Sequence, residues 1–286
     1  MQTPFSQESA VHGEARLLPS HPGEACDEAR EHARPTGFLA TEQCRKEQDA
    51  SLESPVADAL PDPRYERKFV ISNARLPEVL ALVHRHPALF REVYPPRAIN
   101  NIYLDTPALT DYRAHVNGAA NRLKTRIRWY GPLQGHAARP ALEEKLKRGV
   151  VGGKRVHPLP PLHVNGGVSR PGLNAWLDQA ALPAVLRARL RHLEPTLVNR
   201  YQRRYFESAD RRFRLTVDSD LEFHAPADDP GRHLERPGSR NPDIILELKF
   251  VPEHAPAAER IANTFPFRLT RCSKYVMGIE RLHPFL

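Results

Sequence analysis

The sequence is poor in cysteine and contains no long apolar run. Its three cysteines, Cys26, Cys44 and Cys272, form no CxxC pair and have no histidine at zinc-ligand spacing, which argues against disulfide and zinc frameworks. No run of about 18 apolar residues is present, so we expect no membrane span. The N-terminus also lacks a basic segment followed by an apolar run, so we expect no secretory signal. These features favour a reduced, cytoplasmic protein.

Positive charge is abundant but unevenly distributed. The formal net charge is +8 and the isoelectric point is near 9.6, which indicates an anionic partner. Residues 1–60 contain 11 Asp/Glu and 5 Lys/Arg, which leaves 23 of the 34 acidic and 37 of the 42 basic residues for the rest of the chain. The basic character therefore belongs to residues 61–286.

Residues 1–60 have a composition unlike that of a folded domain. They mix Glu, Ala, His, Pro and Ser without apolar periodicity, and their only aromatic residues are Phe5 and Phe38. Such a segment cannot bury enough apolar surface to offset the entropy lost on ordering. We expect a disordered acidic tail over 1–60 and one folded domain over 61–286.

From Arg64 onward the sequence alternates between apolar and charged residues in short segments. This period of two predicts strands, and the longer apolar patterns at 76–86 and 174–193 predict helices, the second interrupted at Pro183. A short closing helix is predicted at 273–282. Two segments are expected to be loops: 149–155, which carries Lys154 and lacks the spacing of a Walker A loop, and 157–163. The predicted strands cover 64–71, 97–105, 122–130, 141–147, 195–207, 211–223 and 243–251.

Parity sorts the charges onto one face of each predicted strand, because successive side chains point to opposite faces. The charged face is basic with an interspersed carboxylate in strand after strand, and Glu144 is the one charged residue on an apolar face. The ordinary explanation of this alternation is a sheet with one solvent-exposed face and one packed face. The charged sets are Lys124, Arg126, Arg128 and Tyr130; Glu143, Lys145 and Lys147; Arg212, Arg214, Thr216 and Asp218; and Glu247 and Lys249.

The repeated basic faces favour a more specific arrangement. If helices cover the apolar faces, the charged faces meet inside a closed antiparallel β tunnel, which makes the fold class α+β with helices packed outside. Unpaired buried cations are costly, so such a tunnel must hold anions. Arg and Lys both bind phosphate well, and a glutamate among them suits Mg²⁺ or Mn²⁺. Glu247 could instead form only structural ion pairs with neighbours such as Lys249.

Eight segments in order resemble the VTC domain of the triphosphate tunnel metalloenzyme superfamily, the polyphosphate polymerase domain of the vacuolar transporter chaperone complex and its bacterial relatives. The resemblance covers about 64–280. Each segment is weak evidence alone, but the ordered set is specific. The segments are YERKF, IYLDT, KTRIRWYG, LEEKLK, RYQRRYF, FRLTVDSDL, ILELKF and SKYVMG.

The resemblance implies transfer of the γ-phosphate of ATP to a polyphosphate chain, with Mn²⁺ or Mg²⁺ as cofactor. It implies no specific nucleic-acid partner, and it leaves the oligomeric state open. Glu247 resembles the metal ligand of the family. The implied catalytic residues are Arg126, Arg128, Lys145, Arg203, Arg214 and Lys249, and the implied phosphate-binding residues are Lys68, Lys154, Tyr201, Ser273 and Lys274.

One departure separates this chain from the hydrolases and cyclases of the superfamily. Those enzymes usually open with ExExK, whereas Arg64 stands in place of the first glutamate here, followed by Glu66 and Lys68. The loss of a carboxylate weakens a mechanism in which a metal activates water, and so favours transfer to phosphate. Two alternatives stay open: a metal-dependent hydrolase of triphosphate or nucleoside triphosphate, and a non-catalytic binder of polyphosphate or nucleic acid.

Overall fold

The computed structural model describes residues 63–164, 170–226 and 238–285. These residues form an α+β structure with one large antiparallel sheet, which confirms the predicted class. The predicted tail at 1–60 lies outside the described residues. No helix among the described ranges is both long and apolar enough to cross a bilayer.

Eleven strands and six α-helices make up the described chain. The strands are β1 (Tyr65–Ile71), β2 (Arg91–Asp105), β3 (Asn121–Tyr130), β4 (Gly135–Ala137), β5 (Ala141–Arg148), β6 (Val151–Pro158), β7 (Leu162–Val164), β8 (Glu194–Glu207), β9 (Arg214–His224), β10 (Ser239–Asn241) and β11 (Ile244–Phe250). The helices are α1 (Leu76–His84), α2 (Thr110–Val116), α3 (Arg170–Leu177), α4 (Ala184–Leu190), α5 (Ala255–Thr264) and α6 (Lys274–Leu282).

The large sheet has the strand order β1-β11-β9-β8-β2-β3-β5-β6, and the short β10 pairs with β9. Its two end strands also touch. Arg64, just before β1, forms an antiparallel bridge with Gly152 of β6, through backbone hydrogen bonds of 3.1 and 3.3 Å. The sheet therefore curves far enough to bring its first and last strands together at this point.

Four helices cover the outer face of the sheet. Leu173 and Leu177 of α3 and the leucines of α4 pack with Ile127 and Leu142 from β3 and β5. On the other half of the sheet, α1 and α5 pack against the apolar residues of β1, β9 and β11. The apolar parity positions are thus buried beneath helices, as the alternation in the sequence predicts. Pro183 lies directly before α4, where it separates the two predicted halves of 174–193.

Helix α6 departs from the expectation that the helices pack outside. Its Tyr275 and Ile279 share an apolar cluster with Tyr103 and Tyr201. Those two tyrosines lie on the charged face of the sheet, since Tyr103 is paired with Arg126 of β3 and Tyr201 has the parity of Arg203 on β8. Helix α6 therefore packs on the inner face of the sheet, and the prediction was wrong for this helix.

One predicted loop is mostly a strand, and the other keeps a short connection at 159–161 between two strands. Residues 151–158 form β6, paired along its length with β5, so Lys154 stands on a strand opposite Lys145 rather than on a flexible loop. The turn between β5 and β6 is only Gly149 and Val150, and Gly149 supplies the positive φ of 57°. The segment 157–163 ends β6 and begins β7. Gly152 and Gly153, which suggested a loop, lie within β6, whereas Pro160 and Pro161 lie in the connection to β7.

Glu144, the charged exception on an apolar face, is buried and paired. It accepts a hydrogen bond from Arg189 of α4 at 2.8 Å and lies 3.2 Å from His157 of β6. This contact connects an outer helix to the sheet through charge rather than through apolar packing. Glu144 therefore belongs to the scaffold and not to the inner face.

Candidate phosphate-binding cavity

The inner face of the sheet encloses a cavity of about 410 Å³. Eighteen residues line it, and eleven of them are lysine or arginine, whereas two are glutamate. All twelve site residues expected from the sequence are among the eighteen. The remaining six are Arg64, Glu66, Tyr103, Lys124, Gly152 and Gly153.

Glu143 of β5 orients the cations on one wall. Its carboxylate accepts hydrogen bonds from Arg126 at 2.6 and 2.8 Å and from Lys154 at 2.9 Å, and it lies 3.5 Å from Arg128. Burial raises the pKa of Glu143, but Arg126 and Arg128 outweigh it and hold the pKa well below its usual value. The carboxylate therefore stays ionised and fixes two guanidinium groups in place.

Asp218 of β9 orients the opposite wall. It accepts hydrogen bonds from Arg203 at 2.5 and 2.7 Å and lies 2.6 Å from the ammonium of Lys274, the first residue of α6. Burial raises the pKa of Asp218, and Arg203 and Lys274 outweigh it to lower the pKa below its usual value. This pairing fixes the first residue of α6 at the cavity wall.

Two further carboxylates, Glu66 and Glu247, lie on the neighbouring strands β1 and β11, where Glu66 is opposite Lys249 and Glu247 is opposite Lys68. Both contact Lys68, at 3.2 and 3.3 Å, and Glu66 also accepts from Lys145 at 2.9 Å. Burial and Glu247 raise the pKa of Glu66, but Lys145 and Lys68 outweigh them and lower it to about 2. Burial likewise raises the pKa of Glu247, yet Lys249 and Lys68 hold it well below its usual range. Both carboxylates are ionised at neutral pH.

Lys124 is a cavity residue whose role the sequence reasoning did not assign. Its ammonium donates to the hydroxyl of Ser273 at 2.7 Å, and the same hydroxyl caps α6 by accepting from the backbone of Val276. Burial lowers the pKa of Lys124 well below its usual value, and Lys68 and Lys145 lower it further. Its parity on β3, shared with Arg126, was the signal that could have identified it.

The tyrosines add hydroxyl groups to the same wall. Tyr201 accepts a hydrogen bond from Arg128 at 3.1 Å, and the ammonium of Lys274 lies 4.8 Å from its ring centre. Burial raises the pKa of Tyr201, but Arg128 and Arg203 outweigh it and lower the pKa to about 8. Tyr103 accepts from Arg126 at 3.4 Å. The tyrosine hydroxyls therefore lie among cations, where an anion would also be stabilised.

Arg214 and Lys249 complete the predicted set with looser contacts. Arg214 stands at the edge of the cavity, with 61% of its side chain exposed and Glu207 at 3.7 Å. Lys249 lies 3.6 Å from Glu247. These longer distances leave both side chains able to turn toward a ligand.

Three solved structures resemble the chain at 12% identity. The PH1819 protein of Pyrococcus horikoshii OT3 has a TM-score of 0.43 over 76% of this chain and 99% of its own. A Vibrio parahaemolyticus protein suggested to be an adenylate cyclase scores 0.41 over 74% and 97%, and HpAC1 from Hippeastrum, described as having a dominant triphosphatase activity, scores 0.40 over 75% and 93%. These scores are too low to establish a shared fold, and nothing about this chain's chemistry follows from them.

Sequence comparison gives a clearer result. None of the curated proteins matches the chain. The family model described as the VTC domain, however, matches residues 63–283, which is nearly all of the chain that forms the sheet and its helices. The cavity residues all lie within that match, and the chain belongs to the VTC domain family.

Proposed function

We propose that this chain is an ATP-dependent polyphosphate polymerase. The observation that carries the proposal is the composition of the cavity wall, where eleven lysine and arginine side chains face two glutamates. When Glu143 and Asp218, which pair with arginines of the wall, are included, the basic side chains still outnumber the carboxylates. Cations in excess of their carboxylate partners are costly where they are buried, so an anion of several charges would stabilise this wall. Membership of the VTC family supports polyphosphate as that anion.

The curvature of the sheet supports a closed β tunnel as the binding channel. The bridge between Arg64 and Gly152 joins the two end strands at one point, and β6 carries Lys154 into the same wall. A closed barrel of about eight strands has an interior wide enough for side chains and one narrow ligand. An extended phosphate chain is a ligand of that shape.

In the proposed reaction a terminal oxygen of the growing chain attacks the γ-phosphorus of ATP in line. A new P–O bond forms between that oxygen and the γ-phosphorus. The bond from the γ-phosphorus to the bridging oxygen breaks, and ADP leaves with the electron pair. The transition state spreads charge over three equatorial oxygens, so catalysis depends on positioning and charge stabilisation. Arg126, Arg128 and Arg203 are suited to this role because Glu143 and Asp218 already orient them.

The residues fit a divalent cation that is shared with phosphate. No group of three or more His, Cys, Asp or Glu side chains within the described ranges is arranged to hold a metal. Glu66 and Glu247 are nevertheless both ionised and adjacent, and Mg²⁺ is commonly bound by one or two carboxylates together with substrate phosphates. We propose that Glu247, with Glu66 beside it, holds Mn²⁺ or Mg²⁺. Such a cation, when bound, would polarise phosphoryl oxygens.

The same two carboxylates favour one alternative, a metal-dependent hydrolase of triphosphate. Two ionised glutamates beside a phosphate could orient an attacking water. Arg64 lines the cavity where hydrolases of the superfamily usually carry a further glutamate, which favours phosphate over water as the acceptor. The products of the reaction separate the two functions directly.

The decisive experiment is incubation of the full chain with ATP and Mn²⁺, followed by gel separation of the products. We expect long polymer and ADP. Free phosphate without polymer would support the hydrolase, and no turnover would refute both. Arg126→Ala and Lys249→Ala should abolish synthesis while the circular dichroism spectrum is unchanged. Arg85→Ala, an exposed arginine that follows the outer helix α1, is the matched control and should keep full activity.

A further inference from the structure

Three tyrosines surround an arginine on β2, β3 and β8. The guanidinium carbon of Arg97 lies 4.9 Å from the ring centre of Tyr94, 5.8 Å from that of Tyr205 and 6.0 Å from that of Tyr130. Tyr94 and Tyr205 also pack edge to face, with ring centres 5.8 Å apart. We call these four residues the Tyr–Arg cluster. None of them belongs to the set expected to bind phosphate.

The cluster borders the cavity. Tyr130 has the parity of Arg126 and Arg128 on β3, and Tyr205 has the parity of Arg203 on β8. Arg97 lies opposite Arg203 in the β2–β8 ladder. The guanidinium carbon of Arg203, a cavity residue, lies 6.0 Å from the ring centre of Tyr205. The inner face therefore changes from basic to aromatic side chains at Tyr130 and Tyr205, which follow Arg128 and Arg203 at the next position on the same face of each strand.

The other end of the inner face has different chemistry. There Arg122, the second residue of β3, lies opposite Lys147 of β5 and two residues before Lys124. Burial lowers the pKa of Lys147, and Arg122 lowers it further, so the two side chains interact electrostatically. One end of the inner face is thus basic, and the other end combines aromatic rings with the guanidinium of Arg97.

The aromatic end is also open to solvent. Tyr94 exposes 52% of its surface and Tyr130 exposes 50%. Burial raises the pKa of Tyr205 to about 12, so its ring is uncharged and does not repel an approaching nucleotide. Nucleobases stack on tyrosine rings and on the guanidinium plane of arginine. Half-exposed rings beside a phosphate-binding wall provide such a surface.

We propose that the Tyr–Arg cluster binds the nucleobase of the donor nucleotide by stacking. This inference rests on the proposed function. It also gives the reaction a direction: the nucleoside stays at the aromatic end, the triphosphate extends inward past Arg128 and Arg203, and the acceptor chain occupies the end marked by Arg122 and Lys147. The cluster discriminates a nucleotide from inorganic polyphosphate, which has no base.

The test compares binding of a non-hydrolysable ATP analogue with binding of inorganic tripolyphosphate by isothermal titration calorimetry. The double variant Tyr94→Ala with Tyr130→Ala should weaken the analogue by at least about tenfold, since stacking on aromatic side chains carries about that much affinity per base. Its affinity for tripolyphosphate should stay within about twofold. The double Phe variant retains both rings and should bind the analogue like the wild type.

Two results would overturn the inference: unchanged affinity of the Ala variant for the analogue, or an equal loss of affinity for tripolyphosphate. Loss of analogue binding in the Phe variant would also count against stacking. The measurement needs no turnover. A protein that makes no polymer can still bind the analogue through its base, and an active polymerase can bind it without base stacking. The two proposals are therefore tested separately.

Discussion

Asp218 is fully buried and balances the charge of two cavity cations. Its oxygens lie 2.5 and 2.7 Å from Arg203 and 2.6 Å from Lys274. We predict that Asp218→Asn destabilises the free protein strongly, because both cations then stay buried without their counter-charge. Removal of one partner from a buried ion pair typically costs about 3–5 kcal/mol, and we expect a loss of that size.

Bound polyphosphate should reduce this loss. An anion between Arg203 and Lys274 supplies the charge that the variant lacks, so the variant should bind tripolyphosphate more tightly than the wild type does. A ligand at about 100 times its dissociation constant stabilises the folded state by about 2.7 kcal/mol. At equal ligand concentration the variant therefore gains more stability, and the difference in the free energy of unfolding between the two proteins becomes smaller.

Urea unfolding of both proteins, with and without tripolyphosphate, measures these quantities. The control is Asp178→Asn, whose partner Arg191 lies 3.9 Å away with both side chains more than half exposed. Exposed pairs of this kind contribute up to about 1 kcal/mol, and tripolyphosphate should not alter the effect. A loss below about 1 kcal/mol for Asp218→Asn, or an equal gain from ligand in both proteins, would refute the reasoning.

Three other results are expected. Tripolyphosphate affinity, measured by calorimetry, should fall as the pH rises through about 8, because burial lowers the pKa of Lys145 to about 8 and the pKa of Tyr201 is also near 8. Above that pH Lys145 loses its positive charge and Tyr201 gains a negative charge. Tyr201→Phe should therefore make the affinity depend less steeply on pH. A pH dependence equal to that of the wild type would contradict this account. Lys124→Met should weaken tripolyphosphate binding at least about tenfold, since burial, Lys68 and Lys145 lower the pKa of this lysine and a bound anion would favour its charged form. Affinity equal to the wild type would remove Lys124 from the site. Gly278→Ala should lower the free energy of unfolding by about 1–3 kcal/mol in urea, because the new Cβ would lie 2.7 Å from the Phe223 ring, and a neutral result would mean that α6 can shift freely on the sheet.

Alternation along the strands carried most of the predictable information. The charged sides of β3, β9 and β11 could be read from parity, since a period of two leaves no other assignment once one face is apolar. For this reason Arg126, Arg128 and Glu247 were expected on one inner face, and they line one cavity. Parity also placed Glu143 and Asp218 on the charged faces of their strands. It did not predict which arginines these carboxylates would bind.

Contacts between segments that are distant in sequence could not be predicted from the alternation. Asp218 meets Lys274 across 56 positions of sequence, and Glu66 meets Lys145 across 79. Strand order decides such pairs, and parity alone does not give strand order. The inward packing of α6 was missed for the same reason, because its apolar face is equally compatible with either side of the sheet. Gly152 and Gly153 suggested a loop because local composition was considered without the pairing of β6 to β5.

The spacing of the wall cations favours an extended chain over a single phosphate. Lys124, Arg126 and Arg128 follow one another at every second position of β3, and two residues of a strand span about 7 Å. A single phosphate group cannot contact all three side chains at once, whereas a linear chain parallel to the strand can. Each further phosphate of the ligand therefore contacts basic side chains that the preceding phosphate does not contact. The affinity for polyphosphate should rise with its chain length until the inner face is filled. The carboxylates do not remove this preference, because each of them is already shared by two or more cations.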